Sequence, residues 1–438
     1  MLRLILSPSV GGTAGYLYDA VAALASSGGE AVLIVPEQYS FAAERIVLER
    51  LGPADAQRVE VLSFTRLANT VFNSVGWDKG KRLNEAGKIL LMSRALEQCA
   101  DKLTVYARSA DSPAVVRELL VLSEEFCQCA ISSEDIVSAM NNMEEGLLKD
   151  KLGDISLVFS VYDSFVSDGW LDDSRMLTRL KDKLAESGYF KNKTVFFDSF
   201  RGFTAQEFGI IGKILTQADD VCVALNAPDL TDVGSDDIFY HTKNTAKKLI
   251  KIANSVDVPC AKPVTVNEPN SDAALDALAK DFLSPEADVF EGECGSIAVV
   301  AAPDIRSECA FIAAQIKKML RTGEYRSRDI AVIVRDDKSY IRPMMTALAK
   351  CGVPVFEDRR QPVINQPLMT LVRAALKIAD TGFDTDSVLR ALKTGLCPLE
   401  ADEVSDIENY TYLWQINGSG WLKKWESSPD GFGEMTES

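Results

Sequence analysis

The sequence predicts an α/β protein with two parallel-sheet domains, the first interrupted by an all-helical insertion. Three observations carry this reading. Five apolar runs rich in branched residues, at 2–7, 31–36, 58–64, 193–200 and 220–226, have the composition of strands buried on both faces of a parallel sheet. Helix-spaced stretches separate the first three, giving a βαβ opening. Between Thr65 and Lys193 the strand-like runs stop, and the chain turns helical.

Taken in order, "LRLILS" is the first strand, and the glycine-rich "PSVGGTAG" leads into an amphipathic helix. "AVLIVP" precedes "EQYSFAAERIV", and "RVEVLSF" precedes "TRLANTVF". Inside the insertion, "NEAGKILLMSRALEQC", "SPAVVRELLVLSEEFCQ" and "ISLVFSVYDSFVSDGWLDD" all carry helical spacing. "KTVFFDSF" and "DVCVALN" then return to the first sheet. A polar stretch near "VNEPNSDAALDAL" separates a second α/β unit, with strands expected in "SIAVVAAP" (296–303), "DIAVIVR" (329–335) and "VPVFED" (353–358) and helices between them. The expected boundaries are 1–70 with 191–290 for the first domain, 71–190 for the insertion and 291–380 for the second domain. Residues 381–438 begin a further helical region, which reads as cut short or as part of something longer.

Composition narrows the function. At 438 residues the chain has room for about three domains, and 47% hydrophobic with 25% charged residues is a globular composition. No run approaches the roughly 18 apolar residues of a membrane span, and the start is too short for a secretory signal, so a cytoplasmic protein without membrane contact is expected. Nine cysteines, none in a CxxC pair, fit buried small hydrophobes in a reducing compartment. With one histidine, His241, a two-histidine zinc site is excluded, and no resident metal is expected. The net charge of −17 opposes nucleic acid overall, but residues 111–190 hold sixteen Asp/Glu against seven Lys/Arg whereas residues 1–90 hold nine of each. Local surfaces can therefore be neutral or basic.

The stretch "LILSPSVGGTAGYLYDAVAAL" has the outline of a phosphate-binding loop between strand and helix, through Gly11 and Gly12. Where GxxxxGK[ST] requires Lys and then Ser/Thr, Thr13 and Ala14 stand, so the phosphate-clamping ammonium and the Mg²⁺-holding hydroxyl are missing. Asp198 ends the strand "VFFDSF" where an acidic metal ligand would sit, but Ser199 follows where hydrolysis needs a Glu. A carboxylate capping the following turn is the alternative role for Asp198.

The order of the degenerate loop, "VPEQYSFAAERIV", "VEVLSFTRLANTVF", the helical insertion and "VFFDSFRGFTAQEF" is similar to superfamily 1 helicase motor domains. Over nearly the whole chain, through "YRSRDIAVIVRDDKSY", "GVPVFEDRRQPVINQPLMTLVRAAL" and "ENYTYLWQI", it resembles more closely the N-terminal region of the AddB family of bacterial ATP-dependent helicase-deoxyribonucleases. The resemblance implies two RecA-like domains of the P-loop NTPase class, an inactive ATPase, and binding and scanning of single-stranded DNA for a recombination signal during double-strand break repair. It also implies an AddA-type helicase-nuclease partner in a heterodimer. The family's nuclease and iron-sulfur cluster belong to a later part of the protein, so no cofactor and no catalytic residue is expected here, and ATP with Mg²⁺ is in doubt.

By the same resemblance Gln38, Ser40, Phe64, Arg66 and Phe200 fall on signal-reading positions, and Asn69 stands where a Trp can occur. Single-strand recognition needs aromatic faces with Arg and amide groups, which these stretches supply at the C-terminal ends of parallel strands. The competing reading makes Phe64 and Phe200 core residues and Arg66 a solvated cation. Two further functions remain open: an active ATP-dependent DNA helicase motor, and a structural scaffold for the partner.

Overall fold

The computed structural model describes residues 1–9, 12–77, 79–231, 234–266, 272–282, 288–357 and 363–428. Gly11, part of the expected phosphate loop, lies outside the described residues. The five apolar runs of the first half form strands: β1 (Leu2–Ser7), β2 (Glu30–Ile34), β3 (Val59–Leu62), β6 (Lys193–Phe197) and β7 (Asp220–Asn226). With the short β8 (Val264–Thr265) they make one six-stranded sheet in the order β3-β2-β6-β7-β1-β8, every pair parallel. Two residues show no periodicity, so β8 leaves no signal in the sequence; it pairs with β1 through Ile5 and Leu6.

Strand alternation decides which helix covers which face. Leu2, Leu4 and Leu6 of β1, Val32 and Ile34 of β2, Val195 and Phe197 of β6 and Val221 and Val223 of β7 all enter one core. There they meet α3 (Phe64–Val75), α8 (Met176–Ser187), α9 (Ala205–Gln217) and α10 (Tyr240–Ser255). The alternate residues Ile5, Ala31, Leu33, Phe196 and Cys222 face α1 (Ala14–Ser26) and α2 (Ser40–Ala56). Both faces are dry, as a parallel sheet requires.

The insertion is mainly helical: α4 (Glu85–Cys99), α5 (Pro113–Gln128), α6 (Ser133–Asn141) and α7 (Leu147–Ser167), with a parallel ladder of two short strands, β4 (Lys81–Arg82) and β5 (Trp170–Leu171). It has its own core around Met92, Leu96, Leu119, Val158 and Tyr162. Helix α8, within the stretch expected to be insertion, instead buries Leu180 and Leu184 against the sheet's covering layer. Buried Asp154 on α7 pins the loop after α4, accepting the backbone N–H groups of Thr104 at 2.9 Å, Val105 at 2.7 Å and Tyr106 at 3.0 Å.

The chain divides into units 1–298 and 299–438, with α11 (Ala273–Asp281) in the first. The second unit holds α12 (Ile305–Thr322), α13 (Asp337–Lys350), α14 (Pro367–Thr381), α15 (Thr385–Leu392) and α16 (Ala401–Leu413). Here the structure departs from expectation: among the described residues "SIAVVAAP", "DIAVIVR" and "VPVFED" form no strand. A strand exists only where another chain segment accepts its ladder, and among those residues these runs have no such neighbour; Val299 and Ile333 are 95% and 94% exposed. The α/β architecture with a mostly parallel sheet therefore holds for the first unit, while the second is helical among its described residues.

Replacing Asp154 by Ala leaves three backbone donors without their acceptor. The expected outcome is a loss of about 1–3 kcal/mol in urea unfolding, with the midpoint lowered and the slope unchanged.

Candidate functional site at the sheet edge

In a parallel sheet every strand delivers its following loop to the same edge. Helices after β1 and β2 cover one face, and those after β3, β6 and β7 the other, so adjacent strand ends send the chain to opposite faces at the carboxyl edge. The loops there contain "SPSVGGTAG" after β1, "PEQYSF" after β2, "SFTRLAN" after β3 and "DSFRGF" after β6. Because β3, β2 and β6 are neighbours, the last three loops are gathered together, whereas β7 separates β1 from β6.

In the loop after β1 the described residues Ser7, Ser9 and Gly12 bond to one another. The Gly12 N–H donates to Ser9 O at 3.1 Å, the Ser9 N–H donates to Ser7 Oγ at 3.3 Å, and the two serine Oγ atoms lie 3.2 Å apart. A Cβ at Gly12 would stand 2.3 Å from both hydroxyl oxygens, so the backbone approaches them as only glycine can. Thr13 is buried and makes no side-chain cap, and Ala14 opens α1 without a polar side chain. A bound triphosphate needs outward-facing loop donors, a Lys and a metal-holding hydroxyl. These residues do not fit a nucleotide-metal group, because the donors of Ser9 and Gly12 are turned inward and the other two parts are missing.

Asp198 follows β6, its N–H donating to Ile34 O at 3.1 Å. Asp198 is 4% exposed, and its carboxyl lies by Ser199 and the buried Tyr18 hydroxyl. Burial pushes the Asp198 carboxyl above the usual carboxylate range, partly offset by the N–H and hydroxyl of Ser199 and by Tyr18. Tyr18 and Tyr39 are both pushed upward by burial and then by the charge of Asp198. Ser199 takes a left-handed φ of 65° to turn the chain away at this point.

The residues expected to read bases divide by exposure. Phe64 is buried, its ring 5.8 Å from Phe200, 6.3 Å from Phe197 and 6.4 Å from Phe203. Its faces are taken by these neighbours, so it forms the floor of the edge. Phe200 is half-buried and packs on Phe203 at 4.9 Å. Ser40 is buried, and its hydroxyl donates to Glu37 O at 3.0 Å, closing the turn that presents exposed Gln38. Arg66 is exposed in the first turn of α3, where Ser63 caps by accepting the Arg66 N–H. Its guanidinium pairs with Glu44 of α2, tying the loops after β2 and β3 together. Asn69 is half-buried further along α3.

Two groups at this edge escape sequence reasoning. Phe41, in the first turn of α2, is 77% exposed, so the free aromatic face of "PEQYSF" belongs to it. Arg201, exposed beside Phe200, adds a second guanidinium. The signal available was position, since each stands next to an expected residue in the same loop. The basic run "HTKNTAKKLIK" behaves otherwise: Lys243 is buried against Asp229 at 3.1 Å and Asp237 at 3.4 Å, and Lys248 lies over the Phe208 ring. Among the described residues no cluster of His, Cys, Asp or Glu could hold a metal ion, and no helix is long and apolar enough to cross a membrane.

A parallel sheet covered on both faces, with its strand-end loops gathered at one edge, defines the first unit as a doubly wound α/β domain. The family described as "ADDB, N-terminal" matches residues 4–279. The chain belongs to this family. It is similar to proteins named as the B subunit of an ATP-dependent helicase/deoxyribonuclease, at 30% identity to that of Caldanaerobacter subterraneus subsp. tengcongensis, covering 90% of this chain and 35% of that protein. Identity is 30% to the Clostridium novyi protein (90% and 35%) and 29% to that of Clostridium acetobutylicum (97% and 37%). The chain thus spans little more than a third of the length of these curated relatives.

Because its folded pKa is raised, Asp198 favours the folded state below the ordinary carboxylate pKa of about 4, and that contribution is lost as pH rises through the folded value. Asp198→Asn should therefore gain stability relative to the parent as pH is raised from about 4 toward neutrality, read by urea unfolding at each pH. A constant difference across that range would contradict the buried-carboxyl assignment.

Proposed function

We propose that this chain is the helicase-like, ATPase-inactive N-terminal region of an AddB-type protein and that the edge formed by the loops after β3, β2 and β6 binds single-stranded DNA. In this reading it scans the strand delivered by a helicase-nuclease partner for a recombination signal during double-strand break repair. The observation that carries the proposal is the exposure of Phe41, Gln38, Arg66 and Arg201 on three adjacent strand ends, above a floor of Phe64 and Phe200. Phe41 offers a stacking face, the guanidiniums offer phosphate or base-edge contacts, and Gln38 offers an amide for readout. The strand order β8-β1-β7-β6-β2-β3 supports a RecA-like first domain, and the inward-turned loop after β1 supports the loss of ATP turnover. Absence of ammonium, metal hydroxyl and water-orienting Glu removes nearly all that phosphoryl transfer uses.

Arg66 has two available anions, Glu44 and a DNA phosphate, and the exposed ion pair itself is worth at most about 1 kcal/mol. Glu44→Gln should tighten binding to a short fluorescein-labelled single strand in anisotropy titrations, and Arg66→Ala should weaken it with a shallower salt slope. Phe41→Ala should lose about 1–3 kcal/mol of binding, with unfolding unchanged because the ring is exposed. Unaltered affinity in both Phe41→Ala and Arg66→Ala would assign the edge to scaffolding. Micromolar binding of an ATP analogue with DNA-stimulated phosphate release would make the chain a motor instead.

A further inference from the structure

The stretch "WDKGKR" (77–82) sets Lys79, Lys81 and Arg82 against one Asp, a local surplus of cations in a chain of net charge −17. It stands where α3 ends and the insertion begins. Trp77 is 42% exposed and is fixed on two sides: its indole N–H donates to Asn73 Oδ1 at 2.7 Å, and its ring packs 5.1 Å from that of Phe72. Arg82, which ends β4, is exposed and holds its guanidinium carbon 5.1 Å from the centre of the Trp77 ring. Among the described residues no carboxylate pairs with Arg82, whereas Arg66 is paired with Glu44. An aromatic ring seats a cation without neutralising it, so Arg82 keeps its charge and gains a fixed position, which are the two requirements of a phosphate contact.

We infer that Arg82, seated on Trp77, is a phosphate contact for single-stranded nucleic acid at the foot of the insertion, reached from the sheet edge along the outer face of α3. Arg66, Thr70, Asn73 and Trp77 follow one another at helical spacing, so they continue a single stripe from the first turn of α3 to just past its end. That stripe is polar: Thr70 is half-buried with its hydroxyl donating to Arg66 O at 3.0 Å, and Asn73 is exposed. At about 1.5 Å of rise per residue it carries a bound strand roughly 10 Å from Arg66 to Asn73, with Trp77 one turn further on. The ring edge of Trp77 and the amide of Asn73 suit unpaired bases beside the contacted phosphate. The cleft next to Arg82 also holds Asp173 and Arg179, one charge of each sign, which leaves the positive balance to Arg82. The contact rests on the DNA-binding reading of the sheet edge and extends it to a different element, the ladder of β4 and β5.

Anisotropy titrations of the 438-residue chain with a short fluorescein-labelled single strand, repeated over a series of salt concentrations, test the contact. Arg82→Ala should weaken binding and make the slope of log K against log salt shallower by about 0.7, the value for one phosphate of a single strand. Arg82→Lys should keep the slope, because the charge remains. A lowered urea midpoint in Arg82→Ala with affinity and slope unaltered would make the Arg82–Trp77 pair a mere seat for the ladder and overturn the inference. An equal loss on a duplex of the same sequence overturns it too, by removing the preference for a single strand. The sheet-edge variants separate the two readings. If Phe41→Ala and Arg66→Ala weaken binding and Arg82→Ala does not, the Arg82 contact is wrong and the edge stands; if Arg82→Ala alone weakens binding, the contact stands and the edge reading falls. No change in any of the three overturns both.

Discussion

A parallel sheet with both faces buried is the constraint from which the rest of the first unit follows. Each strand must send its chain over one face and back, so all six carboxyl ends lie on a single edge. That edge is where loops can be exposed without breaking the sheet's hydrogen bonds, and the polar and aromatic groups of the candidate site accumulate there. The helical insertion respects the same constraint. It leaves after α3 and returns through α8, and those two helices pack in one core, so a body with a separate interior hangs from the covering layer without disturbing strand register.

The acidic surplus has a partly structural use. Lys88 is buried among Glu85 at 3.1 Å, Glu124 at 2.8 Å and Asp172 at 3.5 Å, and Lys243 among Asp229 and Asp237. Burial alone would lower the Lys88 pKa, but the carboxylates around it raise the net value. Lys88 stays charged because its partners are built in, and removing a partner of either lysine would leave a buried ion pair poorly compensated. Sequence charge counts therefore overstate both the free acid and the free base. At the sheet edge Arg201 and Arg66 are exposed guanidiniums, Arg66 paired with Glu44.

The sequence made the five long strands legible because each is continuous, branched and bounded by turn residues, and the insertion was legible because helical spacing replaces that pattern. It misassigned α8, whose apolar stripe looks the same whether it packs in the insertion or on the sheet. The candidate site was legible only at the level of loops. "PEQYSF" and "SFTRLAN" locate the edge, but a run of letters does not say which ring of each points outward. Helix phase decides that: Phe64 enters α3 facing the core, while Phe41 enters α2 facing solvent. In the second unit composition predicts three strands that do not form among the described residues, because strand formation is a pairwise property and no ladder partner accompanies these runs there.

The loop after β1 gives its glycine a packing role in addition to any chemical one. Glycine in a phosphate loop is usually explained by the need to bring backbone N–H groups close to an anion. At Gly12 the close neighbours are instead the hydroxyls of Ser7 and Ser9, and a side chain there would overlap both. Ser7, at the end of β1, is fully buried, and its carbonyl accepts from the Asn226 amide at 2.9 Å, fastening the adjacent strand ends. Substituting Gly12 would disturb the serines that finish β1 and thereby the edge on which the neighbouring loops are mounted. Packing thus accounts for the glycine at position 12, while Thr13 stands buried at the helix start without a side-chain cap bond and Ala14 opens α1.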